Sequence, residues 1–188
     1  MAETEMRVWG IHTKDELLFL RNNKIAIGWK EMGNLKDIPA NRDDFKAKYV
    51  KAYPDAKKGS IPTSVGMLYR FCNEIQDGDY IVYPSKSDHM INIGVVTGEY
   101  TYVPDANEYV QQRNVKWLKH IPRTSFSQGA LYEIGSAMTF FSVKNYVDEF
   151  LAALDKGFKK RTAIILHYSP KPANCRKAPH SSGVYAKI

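Results

Sequence analysis

Apolar and polar positions alternate along this chain in two distinct periods, and the switches between them mark out its elements. Residues 7–13 (RVWGIHT) are rich in β-formers and read as a strand. Thr13 then stands where an N-cap belongs. Glu16 follows three residues later and completes a capping box ahead of LLFL, so a short helix over about residues 14–22 is expected. Asn22-Asn23 ends it, and residues 24–29 (KIAIGW) read as a second strand closing on Trp29. Residues 30–40 carry Gly33-Asn34 and Pro39 and read as loop. Asn41 is placed to cap a helix over 42–52, where Phe45, Tyr49 and Ala52 recur at helical spacing. A further helix starts at Ser60 or Thr63 and carries Val65, Leu68, Tyr69 and Cys72.

The second half begins with a turn at Asp77-Gly78-Asp79. Residues 80–84 (YIVYP) and 91–96 (INIGVV) make a hairpin around 85–90, and 100–103 extends or bends its second arm. Residues 107–112 are polar. Residues 115–121 (VKWLKHI) alternate as a half-buried strand should, and 122–128 read as loop. A helix is expected over 130–140, weakened at Gly135-Ser136. Asn145 is placed to cap a last amphipathic helix with Val147, Phe150, Leu151 and Leu154 as its stripe, ended by Gly157. Residues 163–168 (AIILHY) allow one more strand, and 169–188 show no periodicity. Five or six strands with interspersed helices make an α+β domain rather than a regular βαβ alternation.

Composition narrows the class. The 188 residues are 44% hydrophobic and 12% aromatic, enough to bury a core without covalent staples. Cys72 and Cys175 fit no metal or redox spacing, and a reducing cytoplasm is the expected compartment. No leader peptide or membrane-spanning run is visible. The net charge of +7 is unevenly placed. Residues 1–155 hold 19 Lys+Arg against 20 Asp+Glu, whereas 156–188 hold eight bases and no acid. The expected organisation is therefore a domain over 6–158 and a basic extension over 159–188. Such an extension raises affinity for any polyanion by counterion release, although a merely solvated tail has the same composition.

Catalytic signatures are not found. The chain has no GxSxG, no phosphate-cradling P-loop and no HExxH, and its five histidines are scattered away from zinc-ligand spacing. No carboxylate–lysine element of a metal-dependent nuclease follows an apolar strand. The expectation is a chain without catalytic residues, metal or cofactor. Most of its aromatics belong in a core, but several sit beside polar loops: Trp29 at the end of a strand, Trp9 in the first strand, Tyr69 next to Arg70, and Phe126 between two serines. A loop-edge aromatic holds a planar base by stacking, worth about 1–3 kcal/mol per base. Ser64, Ser125, Ser127 and Gln128 are possible donors to a base edge.

The order of these segments resembles a known pattern. It consists of Trp9 in the first strand, IGW at 27–29, the GDYIVYPSK hairpin from Gly78, IGVVTGEY from Ile93, and VKWLKHIPRTSFSQ from Val115. Over residues 6–143 it is similar to the N-terminal module of predicted Mrr-catalytic-type restriction endonucleases, and more distantly to EVE and YTH domains of the PUA superfamily. That resemblance implies a PUA-like (EVE-like) mixed β pseudo-barrel of five to six strands with flanking helices. It also implies a reader that flips a modified base into an aromatic pocket. Trp29 matches the tryptophan that ends the second strand and is the first candidate for the pocket; Trp9 matches the first-strand aromatic and reads more as structural support, and Tyr69, Phe126 and Ser127 are the weaker members of the expected set. Trp117 reads as core. Lys30, Arg123, Lys159, Lys160 and Arg161 are the expected phosphate contacts. The partner implied is nucleic acid, modified DNA before RNA, with a nuclease effector carried separately or missing from this chain. An RNA-binding module of the same fold is the alternative; an enzyme or a protein-interaction adaptor on this scaffold is a weaker one.

Overall fold

The computed structural model describes residues 6–155. Seven strands form one sheet: β1 (Val8–Ile11), β2 (Lys24–Ile27), β3 (Tyr80–Pro84), β4 (Met90–Val96), β5 (Thr101–Tyr102), β6 (Gln111–Pro122) and β7 (Phe140–Val143). Their spatial order is β2-β6-β4-β3-β1-β7, with β5 beside the start of β6. Only β1 and β3 run parallel; every other pairing is antiparallel. The sheet curls into a half-barrel with helices on its flanks, an α+β architecture.

Alternation along β1 assigns its two faces. Trp9 and Ile11 point into a core completed by α1 (Glu16–Asn22), α2 (Arg42–Ala52) and α3 (Ile61–Tyr69) through Phe19, Phe45, Tyr49, Val65 and Leu68. Val8 points the other way. It joins Ile91, Ile93 and Phe141 under α4 (Gln128–Ile134) and α5 (Val147–Asp155), which contribute Ala130, Ile134 and Phe150. Gly10 sits between these layers because a Cβ there would lie 2.3 Å from the Phe141 ring.

Several elements form where the residue pattern puts them. The side chain of Asn41 accepts from Asp44 N at 2.8 Å and caps α2. The turn into β3 is closed by Gly78, whose φ of 88° suits glycine, and by paired bonds between Gly78, Asp79 and Val96. Other boundaries move, for local reasons. Thr13 and Glu16 do not form a capping box: Asp15 caps α1 by accepting from Leu18 N at 3.0 Å. Glu16 turns instead to the β3–β4 loop, where its carboxylate accepts from the Lys86 and Ser87 amides and from Ser85 and Ser87 hydroxyls. Burial opposes ionisation of Glu16, but those donors outweigh it and hold its pKa below the usual glutamate value.

β2 stops at Ile27, two residues before Trp29. Residues 100–103 do not lengthen the hairpin; Thr101–Tyr102 pairs with β6. The polar run at Gln111–Arg113 opens β6, which is longer than its VKW segment. α3 passes into a wider π turn at Arg70–Glu74. The Arg113 guanidinium holds that turn by donating to the carbonyls of Phe71 and Cys72. The helix expected over 130–140 ends at Ile134, and Phe140–Val143 pairs with β1 as an edge strand. Asn145 gives its amides to Glu133, whose carboxylate also accepts from Lys144 N and Tyr146 N. Among the described residues no helix is long and apolar enough to cross a membrane. Residues 159–188, including the strand expected at 163–168, lie outside the described residues.

Candidate functional site

The most unusual backbone position carries a bulky side chain. Trp29 has φ 63° and ψ 54°, the left-handed region. There an L-residue with a Cβ costs roughly 1–2 kcal/mol. Its environment holds it in place. Met32 N donates to the Trp29 carbonyl at 3.1 Å and Gly33 N to Lys30 O at 3.0 Å, closing the 3₁₀ turn Lys30–Met32. The Gln111 amide, wholly buried at the start of β6, donates to Gly33 O at 3.0 Å and more weakly to Trp29 O at 3.5 Å. Gln111 Oε1 accepts from the Tyr100 hydroxyl, and that hydroxyl in turn accepts from Leu35 N at 3.0 Å. Burial above all pushes the Tyr100 phenol well above its ordinary range. On the other side Glu31 N donates to Tyr53 Oη at 3.2 Å, and burial likewise raises the Tyr53 phenol. The turn is thus bound to β6 and to the end of α2, while the indole is half-buried against the core edge. Strain kept in place by surrounding bonds is characteristic of sites where a side chain must be presented rather than packed.

Two clefts open on the described surface. One, of about 440 Å³, lies between residues 32–39 and α2 and is lined by Met32, Gly33, Asp37, Asp44, Lys48 and Lys51 among others. The second, of about 410 Å³, lies between the start of α1 and the segment before β6. Lys14, Asp15 and Leu18 line it on one side, and Asn107, Glu108, Tyr109 and Gln112 on the other. Lys14 N donates to Tyr109 Oη at 3.1 Å across it, and the Gln112 amide is held between Lys24 Nζ and the Tyr109 carbonyl. Trp29 lines neither cleft, but its segment contributes to the first and passes Glu108 of the second. A Cβ on Gly28 would lie 3.5 Å from the Glu108 carbonyl, and Met32 and Gly33 belong to the first cleft.

The five residues expected to form one aromatic pocket are placed apart. Trp9 is 4% exposed; its ring stacks on Phe140 at 5.1 Å, and its indole N–H donates to Asp79 at 2.9 Å. Phe126 is buried in the other core, against Phe150. Neither presents a ring face to a ligand, because each is needed to fill its layer. Tyr69 is half-buried, and its outer face is taken by the Arg42 guanidinium, 5.3 Å from the ring centre. Ser127 caps α4, and its amide and hydroxyl both donate to Glu149. That leaves Trp29 as the half-exposed aromatic of the set that stands on left-handed backbone. Lys30 and Arg123 are exposed, and Lys159, Lys160 and Arg161 lie outside the described residues.

Sequence reasoning missed Gln111, Tyr100 and Tyr109, which position or border the Trp29 turn. The available signal was two consecutive glutamines running into an alternating strand, a pattern that reads as loop unless their burial is known. The chain belongs to the family described as a domain of unknown function, DUF8426, whose pattern matches residues 12–144. That span includes the Trp29 turn and both clefts and leaves out Trp9. No curated protein matches the chain.

Proposed function

We propose that this DUF8426 member binds DNA and reads a modified base, with Trp29 as the stacking residue. The observation that carries the reading is the left-handed, half-exposed Trp29, whose carbonyl is held by Gln111 and whose turn ends in the lining of the first cleft. In this reading a flipped base lies against the indole. The cleft of Tyr109, Asn107, Gln112 and Asp15 offers amide, hydroxyl and carboxylate groups for its edge. Flipping costs a few kcal/mol, and stacking with edge bonds must exceed it. The curled sheet with helices on both faces is compatible with a PUA-like pseudo-barrel, the fold that the segment order resembles. By the same resemblance, the biological role is recognition of foreign modified DNA within a cytoplasmic restriction system.

The test is a binding titration at fixed moderate salt. It uses matched oligonucleotides: plain DNA, DNA with 5-methylcytosine, 5-hydroxymethylcytosine or N6-methyladenine, and one RNA. A preference for one modified DNA that vanishes in Trp29→Gly supports the reading. Glycine suits the local backbone, so the variant removes the ring without adding strain. Preference for the RNA would transfer the site to an RNA ligand. Equal, salt-sensitive binding to every oligonucleotide would leave only non-specific charge attraction and end the base-reading proposal.

A further inference from the structure

Two residues of the Trp29 turn sit at positive φ, and one buried side chain reaches both. Trp29 has φ 63° and Gly33 has φ 65°, with the 3₁₀ turn Lys30–Met32 between them. Gln111 Nε2 donates to Gly33 O at 3.0 Å and reaches Trp29 O at 3.5 Å. Gln111 is wholly buried, a costly place for an amide unless its groups are bonded. Its other end is matched as well. Gln111 Oε1 accepts from the hydroxyl of buried Tyr100, which itself accepts from Leu35 N at 3.0 Å. Two buried polar side chains thus grip the turn at residues 29, 33 and 35, through its main chain. The sheet sets their positions in turn: Gln111 lies between Ile27 of β2 and Tyr102 of β5, and Tyr100 directly precedes β5. Packing alone calls for an apolar residue at position 111; the amide answers the two carbonyls.

We infer that Gln111 is a specificity-determining residue that acts through Trp29 rather than on the ligand: its amide fixes the left-handed turn, and with it the pose of the indole, while Tyr100 braces the amide. The inference rests on the base-reading proposal above and names what sets the stacking ring in place. Left-handed backbone dictates the direction in which Cβ leaves the chain, and a bulky residue keeps that conformation only where its surroundings enforce it. Without the amide the turn relaxes and the indole is redirected, although the ring is still present. Base selection then fails. Phosphate contacts carry no sequence information, so the non-specific part of binding stays.

The experiment labels the full chain with 5-fluorotryptophan. Its three tryptophans give three fluorine NMR lines, and Trp29→Gly identifies the one from Trp29. Gln111→Met keeps the length of the side chain and removes its bonds. Tyr100→Phe is gentler, keeping Gln111 and removing only its brace. In both variants the Trp29 line should shift or broaden, more in Gln111→Met, while the Trp9 and Trp117 lines stay. A Trp29 line at its wild-type position in both variants overturns the inference. So does joint movement of all three lines in both, which would mean a general structural role. Gln111→Glu separates bonding from packing. Protonated, its carboxyl group still donates to Gly33 O and accepts from Tyr100; ionised, it only accepts and faces carbonyl oxygens. The Trp29 line of this variant should match wild type at low pH and depart from it as pH rises. Tyr100, Tyr53 and Cys72 stay protonated through that range, because burial raises all three, and wild type run in parallel accounts for Asp37 and Glu31. A line without pH dependence there counts against the bonding role. On DNA, Gln111→Met should bring the ratio of modified to plain affinity toward one and keep the salt dependence. A shifted Trp29 line with that ratio intact overturns the specificity role. If wild type itself shows no preference, base reading fails, and the shifted line still establishes Gln111 as the residue that positions the ring.

Discussion

Trp9 and Trp29 stand at the ends of neighbouring stretches of chain and live under opposite rules. Around Trp9 every bonding group is used. The ring stacks on Phe140, the indole N–H meets Asp79, and Asp79 also takes Arg7 and the Gln76 amide. Around Trp29 the backbone is strained, the carbonyl is the anchored part, and the ring is left half outside. The difference teaches how to tell a structural aromatic from a presented one. In the first case the bonds hold the side chain. In the second they hold the main chain and leave the side chain available.

The contrast can be broken most forcefully at Trp9. Trp9→Ala should destabilise by about 3–5 kcal/mol, read as a large drop in denaturation midpoint, because a filled layer loses its largest member. A loss below 1 kcal/mol would mean that Trp9 is not a core residue at all. Asp79→Ala should cost about 2–3 kcal/mol, since it leaves the buried indole N–H and the Gln76 amide unpaired; urea denaturation measures it. At Trp29 the prediction is a difference between two variants. Trp29→Gly should be more stable than Trp29→Ala by about 1–2 kcal/mol, because only alanine keeps the left-handed strain. Equal stability would deny that the strain exists.

The smallest effect concerns pH and sits just past Trp9 on the same stretch. Burial foremost, with Lys86 nearby, holds the His12 imidazole below its ordinary value of 6.5, against the opposing pull of the Ser136 and Ile134 carbonyls. Its neutral form is thus favoured by folding. The contribution is complete above pH 6.5 and declines as pH falls toward the lower folded value. Denaturation midpoints measured between pH 7.5 and 5 should show this decline in wild type and less of it in His12→Gln.

What could be read from the residues alone follows the same division. The β3–β4 hairpin and the capped α2 were legible because turn, period and cap agree locally. β7 was not, because Phe140–Val143 continues an apolar run that fits a helix until its partner β1 is known. The capping box at Thr13 and Glu16 misled for a related reason: Asp15 is the better-placed acceptor, and Glu16 serves a loop far along the chain. For the site, Trp29 could be singled out by type and position, but its left-handed backbone and the Gln111–Tyr100 bonds arise only in three dimensions. Trp9 and Phe126 stood behind Trp29 in the expected pocket, and their burial takes them out of it.

The placement of β1 has a consequence for how the chain is made. Val8 pairs with Tyr80 on one side and with Val143 on the other. A ribosome releases this strand before either partner exists, and the second partner arrives more than a hundred residues later. Such long-range closure is slow compared with local pairing. This strand must therefore wait unpaired during synthesis, and the sheet can be completed only after nearly all of the domain has emerged.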